Sequence, residues 1–299
     1  MTEDATGSLH LHRPGSGPRL LLVAHMDAPG VIVTRVDAAG LGRVALLTGR
    51  APAELIGAPI RFEDGTTGVL GADRPRGGKE PVELEADQLF LESGLGAKAA
   101  KRLRTGSVGA IDDRALRLGD LWCAANLDNR AGCAAVVAAL GTARATRYDL
   151  HVVFSAQSEL GARGAATSAF GVDPDLAVVV DVAHAGEAKE ASGIAVGRGP
   201  CLGLKELGYV AHRETMEMVK RAAAAARVKT QWLIRDSEGS DARAVRAARI
   251  GVPTALVAIP ARRTGGPASL VHARDVAQTA QLVVQVLSAA PRAARGGTR

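Results

Sequence analysis

The sequence predicts an α/β protein, a three-layer sandwich interrupted by a small β-rich insertion. Three features indicate this fold: apolar runs that are continuous, helix-like stretches between them, and one block in which apolar and polar residues alternate. Continuous runs suit strands buried on both faces of a largely parallel sheet. Strands that alternate with helices then place a layer of helices on each face. With 299 residues, 47% of them hydrophobic, the chain can form one large domain and an inserted second one.

Four apolar runs are the predicted core strands. They are RLLLVAH (19–25), DLHVVFSAQ (149–157), DLAVVVDVA (175–183) and PTALVAIP (253–260). Four stretches are predicted as helices: 129–145, with Asp128 as a possible N-cap, the Ala-rich 212–228, 240–251, which opens with the capping pair Ser240–Asp241, and 274–290.

The block from residue 43 to residue 118 is the predicted insertion, a small β-barrel-like domain. A D-G turn within 57–73 separates two strand-like pieces, 74–81 is a loop, and 82–94 alternates. The predicted organisation is therefore an α/β domain from 1–42 and 119–290, an inserted domain at 43–118, and a disordered tail at 291–299.

Composition argues against several classes of protein. The net charge is +6, but the basic stretch 97–106 has no aromatic residues for stacking, so a solvated helix face is favoured over a nucleic-acid surface. The three cysteines, Cys123, Cys133 and Cys201, form no C-x-x-C pair, which argues against a thiolate metal site or a disulfide framework. No apolar run reaches transmembrane length, and the polar start is unlike a signal peptide. We expect a cytoplasmic protein without nucleic-acid or membrane partners.

Four polar residues lie where ligands would be expected in an open α/β sheet. They are His25, Asp128, Glu159 and Asp181, near the ends of apolar runs. One imidazole and three carboxylates suit zinc, cobalt or manganese. Asp27, two positions after His25, can accept the second ring proton and orient the imidazole. Each residue also has a structural explanation, such as a helix cap for Asp128, so spacing alone predicts a candidate metal cluster and no more.

Six segments occur in the order found in one family. They are 20–40 (LLLVAHMDAPGVIVTRVDAAG), 126–137 (NLDNRAGCAAVV), 152–165 (VVFSAQSELGARGA), 178–186 (VVVDVAHAG), 239–242 (GSDA) and 251–262 (GVPTALVAIPAR). From about residue 8 to about residue 288 the chain resembles the tetrahedral or glutamyl-aminopeptidase family of dinuclear metallopeptidases. The resemblance implies a phosphorylase/hydrolase-like fold of aminopeptidase type and trimming of short peptides from the amino end. It also implies a homo-oligomer, from a dimer up to a dodecamer, assembled through the insertion.

The resemblance also implies roles for individual residues. Asp128 corresponds to the carboxylate that bridges two metal ions, and His25 and Asp181 complete the ligands of one ion. Glu159 and a histidine late in the chain complete the ligands of the other. Asp27 corresponds to the orienting aspartate. The general base of the family is a glutamate directly before the position of Glu159.

Two of these positions depart from the family pattern. The base position is Ser158, and a serine hydroxyl cannot accept the proton that a glutamate takes, a loss that typically costs about 10²–10⁴ in rate. The late histidine motif reads RRTGGP (262–267), which places Gly265 at the ligand position. His184 or His272 could replace it only along a different loop path. We therefore expect one divalent ion rather than two, zinc first, with cobalt or manganese as alternatives.

The sequence leaves three hypotheses and does not settle whether the chain is an enzyme. The favoured one is a metallo-aminopeptidase-like hydrolase of short peptides or related amides, with an altered, mononuclear site and Glu159 as its proton shuttle. The second is a catalytically inactive homologue that serves as a binding or structural subunit. The third is a metalloenzyme repurposed for a non-peptidase reaction on a small molecule.

Overall fold

The chain forms one large twelve-stranded sheet and one closed six-stranded barrel. The computed structural model describes residues 1–73, 84–112, 114–143, 145–186 and 193–289. The predicted α/β class with a barrel-like insertion is confirmed. The predictions of a loop at 74–81 and a disordered tail at 291–299 fall outside the described residues.

The strands of the described residues are short and numerous. They are β1 (Thr2–Glu3), β2 (Leu9–Arg13), β3 (Arg19–His25), β4 (Gly30–Val36), β5 (Gly42–Leu47), β6 (Pro59–Phe62), β7 (Thr67–Ala72), β8 (Leu89–Glu92), β9 (Val108–Ile111), β10 (Leu116–Leu118), β11 (Leu121–Ala124), β12 (Asp149–Ser155), β13 (Leu176–His184), β14 (Cys201–Glu206), β15 (Tyr209–Val210), β16 (Gln231–Ile234), β17 (Thr254–Arg262) and β18 (Ser269–His272).

The α-helices lie mainly in the second half of the chain. They are α1 (Pro52–Leu55), α2 (Ala99–Arg102), α3 (Leu127–Thr142), α4 (Arg163–Val172), α5 (Arg213–Ala225), α6 (Ala242–Arg246) and α7 (Ala273–Ser288). Within the described part of the chain, none of them has the length and apolar content needed to cross a membrane.

The four predicted core strands pair in parallel at the centre of the large sheet, in the order β12-β3-β13-β17. Alternate side chains of β3 enter different cores. Leu20 and Leu22 pack in a cluster with residues of α3, α5 and α7, whereas Leu21 and Val23 pack with residues of α4 and α6. All four are at most 1% exposed. Burying one such side chain contributes about 1.5–3 kcal/mol, which is why β3 is apolar at every position from Leu20 to Ala24.

The parallel order brings the carboxyl ends of the core strands to one edge of the sheet. His25, the last residue of β3, lies beside Ser155, the last residue of β12. Asp181 lies near the end of β13, the neighbour of β3 on its other side. Side chains from separate parts of the sequence therefore meet at this edge.

The barrel closes in the strand order β4-β5-β8-β7-β6-β9 around its own apolar core. Its strands run from Gly30 to Ile111, so it starts before the predicted insertion boundary at residue 43. The reason is that β4, an apolar run close behind β3, pairs with β5 and β9 rather than with the large sheet. β10 pairs instead with β11 in the large sheet. The role of the insertion in assembly stays a prediction.

The helix predicted at 240–251 is shorter in the structure, Ala242–Arg246. The chain leaves the helix because the N–H of Gly251 donates to the carbonyl of Ala248 and that of Val252 to the carbonyl of Arg246. These bonds turn the chain into β17. Of the predicted capping pair, Ser240 does accept the N–H of Ala242 at 3.2 Å, but the Asp241 carboxylate does not cap.

Candidate metal centre

Three predicted ligands meet at the sheet edge. His25 Nε2 lies 3.3 Å from Asp128 Oδ1 and 3.5 Å from Asp181 Oδ1. The three residues are buried, and each offers a ligand atom within 4.8 Å of the others. One imidazole nitrogen and two carboxylates, closely spaced and shielded from water, form a donor set that fits a divalent ion.

Asp128 is held by an irregular start of α3. The N-cap is Asn126, and Asp128 and Asn129 have non-helical backbone angles, with a cis peptide bond between them. The Asn129 amide ties this turn to the sheet, because its Nδ2 donates to the carbonyl of Val180 at 2.8 Å and its Oδ1 accepts the N–H of Gly132. The alternative interpretation of Asp128 as a helix cap is therefore wrong, since its side chain turns toward the sheet edge.

Asp27 faces the far side of the His25 ring. Its Oδ1 lies 3.4 Å from His25 Nδ1, and neither atom has a hydrogen-bond partner within the described ranges. Its Oδ2 accepts the backbone N–H of Glu159 at 3.1 Å. A carboxylate in this place favours the proton on Nδ1 and leaves Nε2 free to act as a ligand.

Burial and neighbouring charges shift the pKa values of all three residues of the trio. Burial raises the pKa of Asp181 to about 6. Burial also works against charge on the His25 imidazole, yet the surrounding carboxylates of Asp181, Asp128 and Asp27 raise its pKa well above the ordinary value. Burial disfavours the Asp128 carboxylate too, but His25 and Arg50 keep its pKa low. A cation shared by these groups would stabilise them.

Glu159 lies outside the trio, although the sequence predicts it as both ligand and catalytic residue. Its Oε2 accepts a hydrogen bond from Thr48 Oγ1 at 2.5 Å and lies 4.0 Å from Arg50 Nε. Its side chain is 9% exposed, and burial raises its pKa. The structure thus places Glu159 at the same cavity as the trio, but on the far side of an arginine.

Ser158, at the predicted base position, is hydrogen-bonded to the buried carboxylate of Asp241. Its Oγ donates to Asp241 Oδ1 at 2.7 Å, and Ser155 Oγ donates to Asp241 Oδ2 at 2.5 Å. The sequence indicated a helix cap for Asp241 and placed it in the family segment 239–242, but it did not predict this contact. Two hydroxyl bonds fix this carboxylate and hold the Ser158 hydroxyl against it.

Arg50 is a charged site residue that the sequence did not indicate. It lies between β5 and α1, and its Nη2 is 2.5 Å from Asp128 Oδ2. The residues around it, TGRAPAE (48–54), match none of the recognised motifs, so nothing in the sequence indicated a site residue there.

The two histidines considered as replacement ligands lie elsewhere. His272 is the N-cap of α7, and its Nδ1 accepts the N–H of Arg274 at 3.0 Å. His184 is exposed and lines the cavity beyond Asp181. Neither belongs to the group of close ligand atoms found in the described residues.

A cavity of about 500 Å³ opens onto the trio, a size typical of small-molecule sites. The cavity is lined by the trio, by Arg50 and Glu159, and by further charged residues. The latter include Arg235, Glu238 and Arg243. The lining therefore carries both signs of charge.

Comparisons with known proteins agree with the fold. The family described as M42 glutamyl aminopeptidase matches residues 7–282. A lysyl aminopeptidase of Pyrococcus furiosus is 28% identical over 300 residues, which cover 95% of this chain and 85% of the relative. An aminopeptidase from Desulfurococcus kamchatkensis superposes with a TM-score of 0.91 at 24% identity, over 99% of this chain and 88% of the other. The structure of PhTET1-12s, with a dodecamer in the asymmetric unit, superposes with a TM-score of 0.84 at 21% identity, over 96% of this chain and 88% of the other.

Proposed function

The chain belongs to the M42 glutamyl aminopeptidase family, and on that premise we propose that it hydrolyses short peptides from the amino end with a single divalent ion. The observation that carries the proposal is the buried trio of His25, Asp128 and Asp181 at the floor of the cavity. An imidazole and two carboxylates suit zinc, with cobalt or manganese as alternatives.

The trio would hold the ion, and Asp27 would keep the His25 ring in the ligating tautomer. When bound, the ion supplies Lewis-acid chemistry, which polarises a carbonyl and makes a water molecule more acidic. The remaining steps need a group that moves protons. Ser158 is not that group, because its hydroxyl donates to Asp241.

Glu159 is the proposed proton shuttle. It lines the cavity, and burial raises its pKa above the ordinary glutamate value, the direction that suits a general base. In this role its carboxylate accepts a proton from the attacking water and delivers it to the leaving amine. Two hydrogen bonds fix its position: Thr48 Oγ1 donates to the Glu159 carboxylate, and the Glu159 backbone N–H donates to Asp27.

The test compares Glu159→Gln with the unmodified protein in hydrolysis of a panel of amino-terminal aminoacyl amides and dipeptides, with zinc, cobalt or manganese. The expected result is a fall in kcat of about 10²–10⁴ with the bound ion retained. Glu63→Gln, at an exposed barrel position, is the matched control and should leave kcat unchanged. Retained activity in Glu159→Gln would refute the role of Glu159. A protein that holds no ion and cleaves no substrate would instead favour a binding or structural subunit.

We also propose that the protein assembles into a homo-oligomer. The similar fold of a protein solved as a dodecamer supports this proposal. Exposed apolar residues, Leu116, Leu118 and Trp122, also lie on the β10–β11 hairpin at the edge of the sheet. Light scattering coupled to gel filtration should give the mass of two or more chains of 30.7 kDa each. A monomer at working concentration would contradict the proposal.

A further inference from the structure

The two oxygens of the Asp128 carboxylate face different groups. Oδ1 faces His25 and the trio, whereas Oδ2 accepts the Nη2–H of Arg50 at 2.5 Å. The same guanidinium lies 4.0 Å from the Glu159 carboxylate, measured from Nε to Oε2. Arg50 is thus the positive group between Asp128 and Glu159, the two carboxylates that the family pattern assigns to a second ion.

Gly265 is what makes room for this guanidinium. A Cβ at residue 265 would lie 2.5 Å from Arg50 Nε and 2.7 Å from both Cδ and Cζ. Real Cβ atoms do not approach other atoms so closely, so a side chain at 265 and the present position of Arg50 exclude each other. Gly265 also has a φ of +82°, which disfavours any other residue. The position from which a histidine ligand would extend is the position against which Arg50 packs.

The guanidinium suits this place chemically. It is permanently charged, weakly hydrated for a cation, and presents several N–H donors in one plane to carboxylates. The Arg50 side chain is only 21% exposed, and its backbone N–H donates to Thr48 Oγ1, the hydroxyl that binds Glu159. The segment 48–50 therefore anchors both carboxylates from the barrel side of the cavity.

We propose that the Arg50 guanidinium replaces the second metal ion, so that Asp128 bridges one divalent ion and one fixed organic cation. This inference rests on the proposed function, because it assumes an ion at the trio. Arg50 is a positioning residue here: it holds Asp128 Oδ2 and sets the field at Glu159. The losses of the base and of the late histidine then belong to one rearrangement, in which the second ion is no longer needed.

The test counts ions per folded chain by mass spectrometry, after equilibration with zinc and removal of unbound metal. His12, Asp149 and His151 form another close group of ligand atoms at the surface, so all counts use a His12→Ala background. We expect one ion in the parent and two in Arg50→Ala/Gly265→His, which removes the guanidinium and restores an imidazole. Arg50→Lys should keep one ion, because it retains a cation in the same place. Arg61→Ala, which breaks a surface ion pair with Asp112, is the matched control and should also keep one.

A second measurement covers the case in which the double variant does not fold. Arg50→Ala should lower kcat by about 100-fold, the typical cost of removing one preorganised donor, with a smaller change in KM. Millimolar guanidinium chloride should restore part of kcat, whereas the same concentration of sodium chloride should not. Guanidinium that restores no activity would overturn the inference.

The counts separate failure of this inference from failure of the proposed function. One ion in both the parent and the folded double variant would overturn the replacement by Arg50 but leave a mononuclear hydrolase standing. Two ions in the parent would overturn the inference and the mononuclear site, while metal-dependent hydrolysis would survive. No ion and no turnover in the parent would overturn both.

Discussion

Replacement of Asp27 by asparagine tests how the His25 ring is held. The Asp27 carboxylate faces two N–H groups: its Oδ2 accepts the N–H of Glu159 at 3.1 Å, and its Oδ1 lies 3.4 Å from His25 Nδ1. An asparagine has only one acceptor oxygen. If that oxygen keeps the Glu159 bond, the NH2 group faces Nδ1 and favours the ring tautomer with its proton on Nε2. Nε2 is the atom that points at Asp128 and Asp181, so a proton there blocks ligation.

The alternative orientation of the asparagine is also unfavourable. Its oxygen would then face the imidazole, and its NH2 group would meet the Glu159 N–H, which leaves a partly buried donor unpaired at a cost of about 1–3 kcal/mol. Loss of an outer partner of a ligating histidine typically weakens metal binding by about 10–100-fold. That range corresponds to about 1.4–2.8 kcal/mol.

The assay is a competition titration of zinc between the protein and a chromogenic chelator. We expect Asp27→Asn to bind zinc at least 10-fold more weakly than the unmodified protein and no more tightly than Asp27→Ala. The alanine variant leaves the ring free to adopt either tautomer, whereas asparagine favours the wrong one. Unchanged zinc affinity in Asp27→Asn would refute the proposed orientation of His25.

Four further predictions concern Gly265, Asp275, Cys201 and the bound ion. Gly265→Ala should lower the free energy of unfolding by about 1–2 kcal/mol, because it adds a side chain at positive φ against Arg50, and a denaturant titration with no change would contradict this. Asp275→Ala should cost about 1–3 kcal/mol for each of the two glycine N–H groups that the carboxylate accepts, and an unaltered melting temperature would argue against it. Burial raises the pKa of Cys201 to about 12, so its reactive thiolate forms only near that pH. We expect no alkylation of Cys201 in the folded protein at pH 8 and full alkylation in urea, as read by mass spectrometry. In protein kept with free zinc at 100 times its Kd, removal of the zinc should lower the free energy of unfolding by about 2.7 kcal/mol. Equal melting curves with and without chelator would count against a bound ion.

The central sheet could be predicted because its strands are buried on both faces. The run 19–25 is apolar at its five inner positions, and β3 coincides with that range. The short edge strands β15 and β16 were not predicted, because two to four residues with exposed positions carry no clear periodicity. The start of the barrel was also missed, because an apolar run such as β4 does not indicate which sheet it joins.

Part of the metal centre could likewise be predicted from the sequence and part could not. His25 and Asp181 could be found because they lie at or near the ends of apolar strands, and the sheet topology then brings them together. Arg50 could not, because it comes from a short segment after β5 and reaches Asp128 only through the packing of the barrel against the sheet. The glycine at 265 indicated a lost ligand, but only the structure shows that Arg50 takes up the space it leaves.

The most direct test of a mononuclear hydrolase is a titration of metal-free protein with cobalt. Peptide hydrolysis and the visible absorption of the bound ion would be followed in the same samples, in the His12→Ala background. We expect both signals to rise together and to reach a plateau at one equivalent of cobalt per chain. Hydrolysis that continues to rise up to two equivalents, or that never appears although one ion binds, would contradict a mononuclear hydrolase.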